Sequence, residues 1–494
     1  MTEGIQMKKI NMLLTICLSF IILFTSCASG DNSGTDPAPE GTVISSPGSV
    51  ETQAPETEFS DGLPEESLDG YSYRLFIRQG GRGNSMFREE LNGDRLNDAI
   101  YMRDRAVEDR FDVSITVGMF SADDYGMDCV PTLLAGDDAF DLLAPHGRFA
   151  FEIALQGLTY EWGLLPYVDL DKDWWDLGAR ESFTIHDKLY TTTGDICYNN
   201  LGQTFCFLFN KTLFDEASLA YPYQSVLEGT WTWDEWERIL EVCDSDLDGN
   251  GVMEPSVDRF GYMTHIWSGL INMQFAAGLS IVSVVDGEPE ISFMSEKTVE
   301  VYDRYFSHIL PKVNIEVDEG GAFRSGRVFF MDGSMNSAIG FRDMDDDFGI
   351  IPFPKYAEDM EYRNAVEGGT NLFLVPITVK DLNTSSIILE GMASESWRHL
   401  TPEFYEVVLK TKHVRDPESA EILDIIRRSR VFDFGYYNMT IGLDSIPVNL
   451  YQTYGNAENL VSFYQKKDKV ARKSLEKLMQ SYEKIAEAQQ EMLP

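Results

Sequence analysis

The chain has 494 residues, 40 basic against 81 acidic, and a formal net charge of −41. That balance excludes a nucleic-acid partner and charge-driven docking on anionic lipid. It also disfavours anionic ligands, unless a local basic pocket overrides the surface field. With 43% hydrophobic and 12% aromatic residues the chain can build a large core, and its length predicts two domains rather than one.

In chain order, Lys8 and Lys9 precede an apolar run from Ile10 to Phe24, which ends at Thr25-Ser26-Cys27. A charged start, an apolar core shorter than the roughly 20 residues of a membrane span, and small residues at a cut site describe a removable secretion leader. Its expected start is Met7. The end of the leader resembles the bacterial lipobox, with Phe24 where that motif usually has Leu. The resemblance implies cleavage before a lipidated Cys27, and residues 1–27 are read as a lipoprotein signal peptide. Residues 28–70 carry ten acidic residues, no Lys or Arg and few apolar ones. A segment so poor in apolar surface cannot offset its ordering entropy, so a disordered acidic tether is expected.

YSYRLFIR, from Tyr71 to Arg78, has strand composition and feeds a glycine loop. Leu96, Ile100, Val107 and Phe111 follow at helical spacing, and DVSITV (112–117) reads as a second strand. PTLLAG then predicts a helix, FDLLAP a third strand and ALQGL a further helix. Strands alternating with helices imply a mostly parallel sheet, which binds ligands beyond the carboxyl ends of its strands. The loops after Arg78 and Pro145 are therefore the first candidates, and they place Arg78, His146 and Arg148 at a presumed cleft edge. Cys129, Cys197, Cys206 and Cys243 are scattered without paired spacing. They read as small buried apolar residues rather than zinc ligands or a disulfide framework.

From Phe205 the sequence runs FCFLFNKTLFDEASLAYPYQSVLEGTWTWDEW. The Phe-Asn-Lys-x-Leu-Phe run and the Thr-Trp-x-Glu-Trp segment resemble family 1 extracellular solute-binding proteins, the relatives of maltose-binding protein. FDLLAP to ALQGL, PYVDLDKDWWD, KLYTTTGD, FRSGRVFF, DFGIIPFPKY and SRVFDFG extend the resemblance along much of the chain. It implies an α/β, two-lobed type II periplasmic-binding-protein fold with discontinuous lobes and a hinge. The chain would cross between lobes near Leu201, Val366 and Ser429, giving an N-lobe of 71–203 and 366–428 and a C-lobe of 204–365 and 429–494.

Thr232 and Glu235 have capping-box spacing, which would set Trp233 and Trp236 on a core-facing helix and leave Trp231, before the cap, to face the cleft. Trp267, after a strand in RFGYMTHIWSG, is the preferred stacking residue for a sugar ring. Trp174 and Trp175 are alternatives, or anchor a surface segment. Ser334 and Met335 follow the strand RVFFMDG at a position where the family often presents a cleft residue. Gly369 and Thr370 fall at a glycine turn near a lobe crossing. Arg342 and Tyr437 are weaker candidates. A C-terminal helix over 462–490 would pack through Val470, Leu475, Leu478, Tyr482 and Ile485.

DLDGNGVMEPSV (246–257) matches the first half of a calcium loop through Asp246, Asp248 and Asn250, with Gly251 for the turn. Val257 stands where the bidentate Glu belongs, and Glu254 or Asp258 would have to compensate. An Asp/Gly-rich turn without metal is the alternative, so the expectation is no required cofactor, with calcium as a structural option.

The chain lacks H-E-x-x-H, G-x-S-x-G and a Walker loop, and its carboxylates do not select a catalytic pair. No catalysis is expected. The expected function is a monomeric lipoprotein, anchored at the outer face of a bacterial cell membrane, that captures a sugar or oligosaccharide for ABC permease subunits. An exported carbohydrate-active enzyme and a ligand-sensing lipoprotein are the alternatives.

Overall fold

Strand β1 (Tyr71–Arg78) buries Tyr73, Leu75, Phe76 and Ile77 while its other side chains are partly exposed. It pairs in parallel with β2 (Val113–Phe120) on one side and β3 (Leu142–Ala144) on the other. The helix Arg95–Phe111 that joins β1 to β2 starts where the Asp94 carboxylate accepts the Asn97 N–H, and it stops at Asp112, whose φ is 53°. Its buried stripe of Leu96, Ile100, Val107 and Phe111 is the one read from the sequence. The next helix begins earlier than expected, at Gly147–Ala154, because His146 caps it directly after β3. Antiparallel bridges Leu143–Leu374 and Thr192–Phe373 extend this sheet with chain from far downstream.

The computed structural model describes residues 59–80, 83–254, 256–315, 320–409 and 418–491. The leader, Cys27 and residues 28–58 of the expected tether lie outside the described residues. The end of that tether is a correction, because the compact unit begins at Phe59. Phe59 stacks on Trp397 at 5.9 Å, Leu63 is buried, and Arg110 pairs with Asp61 at 2.5 Å and with Glu65 at 2.7 Å. Two apolar anchors and one arginine hold a segment whose average composition argued against order.

A second sheet has the order β10-β4-β9-β5-β8, from β4 (Phe205–Asn210), β5 (Phe260–Thr264), β8 (Val313–Ile315), β9 (Val328–Ser334) and β10 (Phe348–Ile351). β4 is antiparallel to both of its neighbours, whereas β5 is parallel to β8 and β9. All six residues of β4 are buried, as a central strand covered on both faces requires. Between β5 and β8, the strands β6 (Val282–Val285) and β7 (Glu288–Ile291) form a separate hairpin.

Three stretches of chain run side by side between the two sheets. Thr204 bridges Val366, and the Glu367 N–H donates to Gln203 O at 3.0 Å. β11 (Asn364–Ala365) pairs in parallel with β12 (Arg430–Val431), next to which the Asn364 N–H donates to Ser429 O at 2.8 Å. Some helices touch both sides. The helix Ser419–Arg428 packs against β10, and the 31-residue helix Leu460–Gln490 stacks Tyr464 on Phe293 at one end and Tyr482 on Tyr190 at the other. Gln489 then inserts its amide, accepting from the Glu161 N–H at 3.1 Å and donating to Thr159 O at 2.7 Å. Leu475, Leu478, Tyr482 and Ile485 are buried as expected, but Val470 is 65% exposed. Among the described residues, no helix is long and apolar enough to cross a membrane.

Candidate ligand-binding groove

A cavity of about 960 Å³ opens where the two sheets face each other. One wall is the end of β1, Arg78-Gln79-Gly80, with Ala122 from the loop after β2. The other wall is Asn336, Ile339, Gly340, Arg342 and Asp343, on and just after the helix Met335–Gly340. Tyr198, Asn199 and Gln203, from the segment that leads into β4, connect the two. Arg78 Nη2 donates to Ala122 O at 3.1 Å, and its guanidinium lies 5.7 Å from the centre of the Tyr125 ring. The positive φ of Gly80, 89°, turns the chain there, and Gly83 packs against the Arg78 carbonyl where a Cβ would collide with it.

Amides tie the far wall to the floor. Asn336 Nδ2 and Gln203 Nε2 both donate to Asn199 Oδ1, the latter at 3.2 Å. Asn199 is only 5% exposed, and its own Nδ2 has no partner among the described residues. Gly202 passes so close to the Asn336 amide that any Cβ there would meet it. The Tyr198 ring stacks on Phe404 at 5.4 Å.

A second cavity of about 520 Å³ shares Gln203 and Gly340 with the first. Thr264, His265 and Ser268 after β5, Arg324, and Asp332 to Ser334 at the end of β9 line it. Asp332 accepts from Tyr262 Oη at 2.9 Å and from Ser268 Oγ. Burial pushes its carboxyl pKa up, and these hydroxyl donors hold it back only partly. Asp343 is instead held below the ordinary carboxylate range, chiefly by the hydrogen bond from Arg324, at 2.6 Å. The groove thus presents amides, hydroxyls and guanidinium groups on every side, the donor and acceptor mix that polyhydroxylated ligands require.

Of the residues singled out from the sequence, Arg78, Ser334 and Arg342 line this groove. His146 stands near it. Its ring meets Tyr125 and Phe149 edge-on at 5.2 and 5.6 Å, while Nδ1 accepts the Arg148 N–H at 3.3 Å. Tyr125, 37% exposed and with a φ of 56°, lies flat on Phe149 at 4.7 Å. Trp267 is 45% exposed on the loop that carries His265 and Ser268, although it does not line either cavity.

Other expectations are corrected. Trp231 is fully buried and its indole donates to Pro352 O at 3.0 Å, so it belongs to the core under β10. Met335 is fully buried beneath the helix that it starts. Arg148 pairs with Asp444 and covers the Tyr436 ring at 5.2 Å, which ties its helix to the 434–446 segment rather than to a ligand. Thr370 is buried with Oγ1 donating to Asn200 Oδ1 at 3.0 Å, and the Gly369 N–H donates to Glu367 Oε1 at 3.0 Å. Tyr437 is buried and donates to Val366 O. Trp174 and Trp175 are buried, and their indoles share the two oxygens of Glu390 at 2.9 Å each. Thr232 starts the helix Trp233–Leu240 without a side-chain cap, because Glu235 accepts from Ser225 Oγ at 2.8 Å instead.

The Asp-rich loop gathers a different trio from the expected set. Asp246, Asp248 and Asp258 bring one carboxylate oxygen each to within 4.8 Å of one another. Asn250 turns its amide nitrogen toward Asp248 at 2.9 Å and Glu254 at 3.2 Å, and so offers them a donor rather than an oxygen ligand. Backbone N–H groups, Gly251 first, hold Asp246 below its ordinary pKa. Three convergent carboxylates suit a hard divalent cation in charge and atom type.

Comparison with known proteins came after this geometry. No family model matches the chain, and no curated protein matches it by sequence. Solved structures do match. An ABC substrate-binding protein from Listeria monocytogenes in complex with cycloalternan aligns at a TM-score of 0.50 and 14% identity, over 84% of this chain and 99% of that one. A cyclo/maltodextrin-binding protein complexed with maltotetraose aligns at 0.52 and 13%, over 84% and 98%. A solute-binding protein from Thermotoga Lettingae TMO bound with alpha-D-tagatose gives 0.51 and 16%, over 81% and 100%. The chain therefore has the two-lobed α/β fold of ABC transporter solute-binding proteins. At this identity it is the architecture that is shared, and the groove residues are this chain's own.

Proposed function

We propose that the protein is a solute-binding lipoprotein that captures a sugar or oligosaccharide between its lobes and presents it to an ABC importer. The observation that carries this reading is the groove between the two sheets, lined from both walls by arginine, amide and hydroxyl groups. It is supported by the fold, which the solved neighbours named above use to hold carbohydrates. No chemistry is performed on the ligand.

Lipidated Cys27 anchors the chain at the outer face of the membrane, and the acidic segment after it spaces the lobes from the bilayer. The side-by-side segments around Thr204, Val366 and Val431 serve as the hinge. A ligand that touches both walls binds the closed form better than the open one, and that difference drives closure. Permease subunits then read the closed surface of a monomer. No cofactor is needed for capture, and calcium on the Asp246, Asp248 and Asp258 loop would be structural.

The test is a thermal-shift screen of the chain without its leader against mono- and oligosaccharides, followed by analysis of each glycan after incubation. A ligand at about 100 times its Kd adds about 2.7 kcal/mol of stability. A shift with a glycan that stays intact supports the reading. Cleavage of the glycan, or no shift with any carbohydrate, contradicts it.

A further inference from the structure

The charged residues of the groove run against those of the whole chain. Acidic residues outnumber basic ones 81 to 40 overall. The larger cavity nevertheless has two arginines, Arg78 and Arg342, and a single carboxylate, Asp343. The two guanidinium groups come from opposite walls, one from the end of β1 and the other just after the helix Met335–Gly340.

The carboxylates near them are already engaged. Asp343 is matched by Arg324, which also donates to Gly340 O at 2.8 Å. Asp332, at the base of the adjoining cavity, is 4% exposed and accepts from Tyr262 and Ser268 with its two oxygens. Arg342 is exposed and makes no ion pair among the described residues. Beside these cations, the unpartnered Nδ2 of Asn199, on a side chain 95% buried, adds a neutral donor to the same cavity.

A purely neutral sugar needs donors and acceptors in comparable number, and acidic side chains commonly supply the acceptors. Here the charged acceptors are spoken for and the donors are in surplus. A planar guanidinium matches a carboxylate in a bidentate way that hydroxyl groups do not reproduce. Within a surface this acidic, a local cationic groove also gives an anionic ligand a place to dwell that the rest of the molecule denies it.

We infer that the groove takes an acidic oligosaccharide, one whose uronic acid carboxylates are held between Arg78 and Arg342. This rests on the carbohydrate-binding reading above and narrows its ligand class. Sulfate or phosphate esters on a sugar offer related chemistry, and the arms of the test separate them.

The experiment is calorimetric titration of the chain without its leader against three sets of probes. The first is uronic acid oligosaccharides (oligogalacturonate, oligoalginate and unsaturated glycosaminoglycan disaccharides), each paired with its carboxyl-reduced neutral form. The second is sulfated and phosphorylated sugars, and the third is neutral malto- and xylo-oligosaccharides. The expected result is binding of at least one uronate probe, weakened about tenfold or more by carboxyl reduction and by either Arg342→Gln or Arg78→Gln, and weakened further by added salt. Arg342→Gln alters an exposed side chain, so its folding is secure. Tighter binding of a neutral oligosaccharide than of every acidic one would overturn the inference while leaving carbohydrate capture intact. Preference for a sulfated or phosphorylated sugar over every uronate would overturn the carboxylate assignment. Failure of all carbohydrates, acidic and neutral, would overturn both readings.

Discussion

Glu390 offers the sharpest test of how this core is held. It is fully buried in the helix Leu382–Glu395, and each of its carboxyl oxygens accepts one indole N–H, from Trp174 and from Trp175, at 2.9 Å. Glu390→Leu keeps the volume but strands two buried donors, at about 1–3 kcal/mol each. The loss of about 2–6 kcal/mol is a large part of a typical domain's 5–15 kcal/mol. Burial also pushes the Glu390 carboxyl from 4.5 up to about 7. A folded-state pKa raised above the unfolded one contributes stability that is fully present below pH 4.5 and lost as pH rises through 7. The wild type should therefore lose up to about 1.4 kcal/mol per pH unit across that window from this group, and Glu390→Leu should lack this component. Denaturant midpoints at pH 5 and pH 8 measure it, with the deficit of the variant larger at pH 5. Equal deficits at both pH values, or a variant as stable as wild type, would refute the reasoning.

Three further outcomes follow from the geometry. Trp231→Ala should lower stability by about 3–5 kcal/mol, while Trp231→Phe should bind the cognate glycan with wild-type affinity; a tenfold affinity loss in the Phe variant would return Trp231 to the cleft. Gly202→Ala places a methyl against the Asn336 amide, so titration should show weaker glycan binding, by about tenfold, with the denaturant midpoint little changed; unaltered affinity would mean that the amide cluster is not part of the site. Calcium should raise the melting temperature of the wild type and leave Asp246→Asn unmoved if the Asp246, Asp248 and Asp258 trio is a cation site, whereas equal response of the two proteins would assign the loop to turn chemistry alone.

What the sequence revealed depended on periodicity. β1, β3 and the helix Arg95–Phe111 announce themselves by uniform strand composition or by apolar spacing, and the four cysteines of the described region are buried as small apolar residues. Where a feature depended on a partner far along the chain, the signal failed. Glu235 has the spacing of a cap, but Ser225 claims it. Trp231 follows a glycine and looks loop-like, but Pro352 supplies its acceptor. Arg148 sits at the expected strand end, but Asp444, 296 residues later, takes its charge. Phe59 and Leu63 disappear into the average composition of 28–70, yet they find Trp397 and the core.

The groove itself was only partly legible for the same reason. Asn199, Gln203 and Asn336 come from helices of four and six residues or their edges, too short for a periodic pattern. A lone Asn or Gln is unremarkable until folding brings three amides together. The one usable hint was glycine, since Gly202 beside Asn199 and Gly340 beside Arg342 mark close approach of backbone to its surroundings. Tyr125 gave no signal before its ring was seen against Phe149 and Arg78.

The central claim, capture in the groove between the sheets, is tested most directly by hydrogen–deuterium exchange with the glycan that gives a thermal shift. The account predicts protection concentrated at 78–80, 198–203 and 336–343, with slower exchange also around 364–367 as the hinge closes. Protection confined to another surface, or none in these segments at saturating glycan, would contradict it.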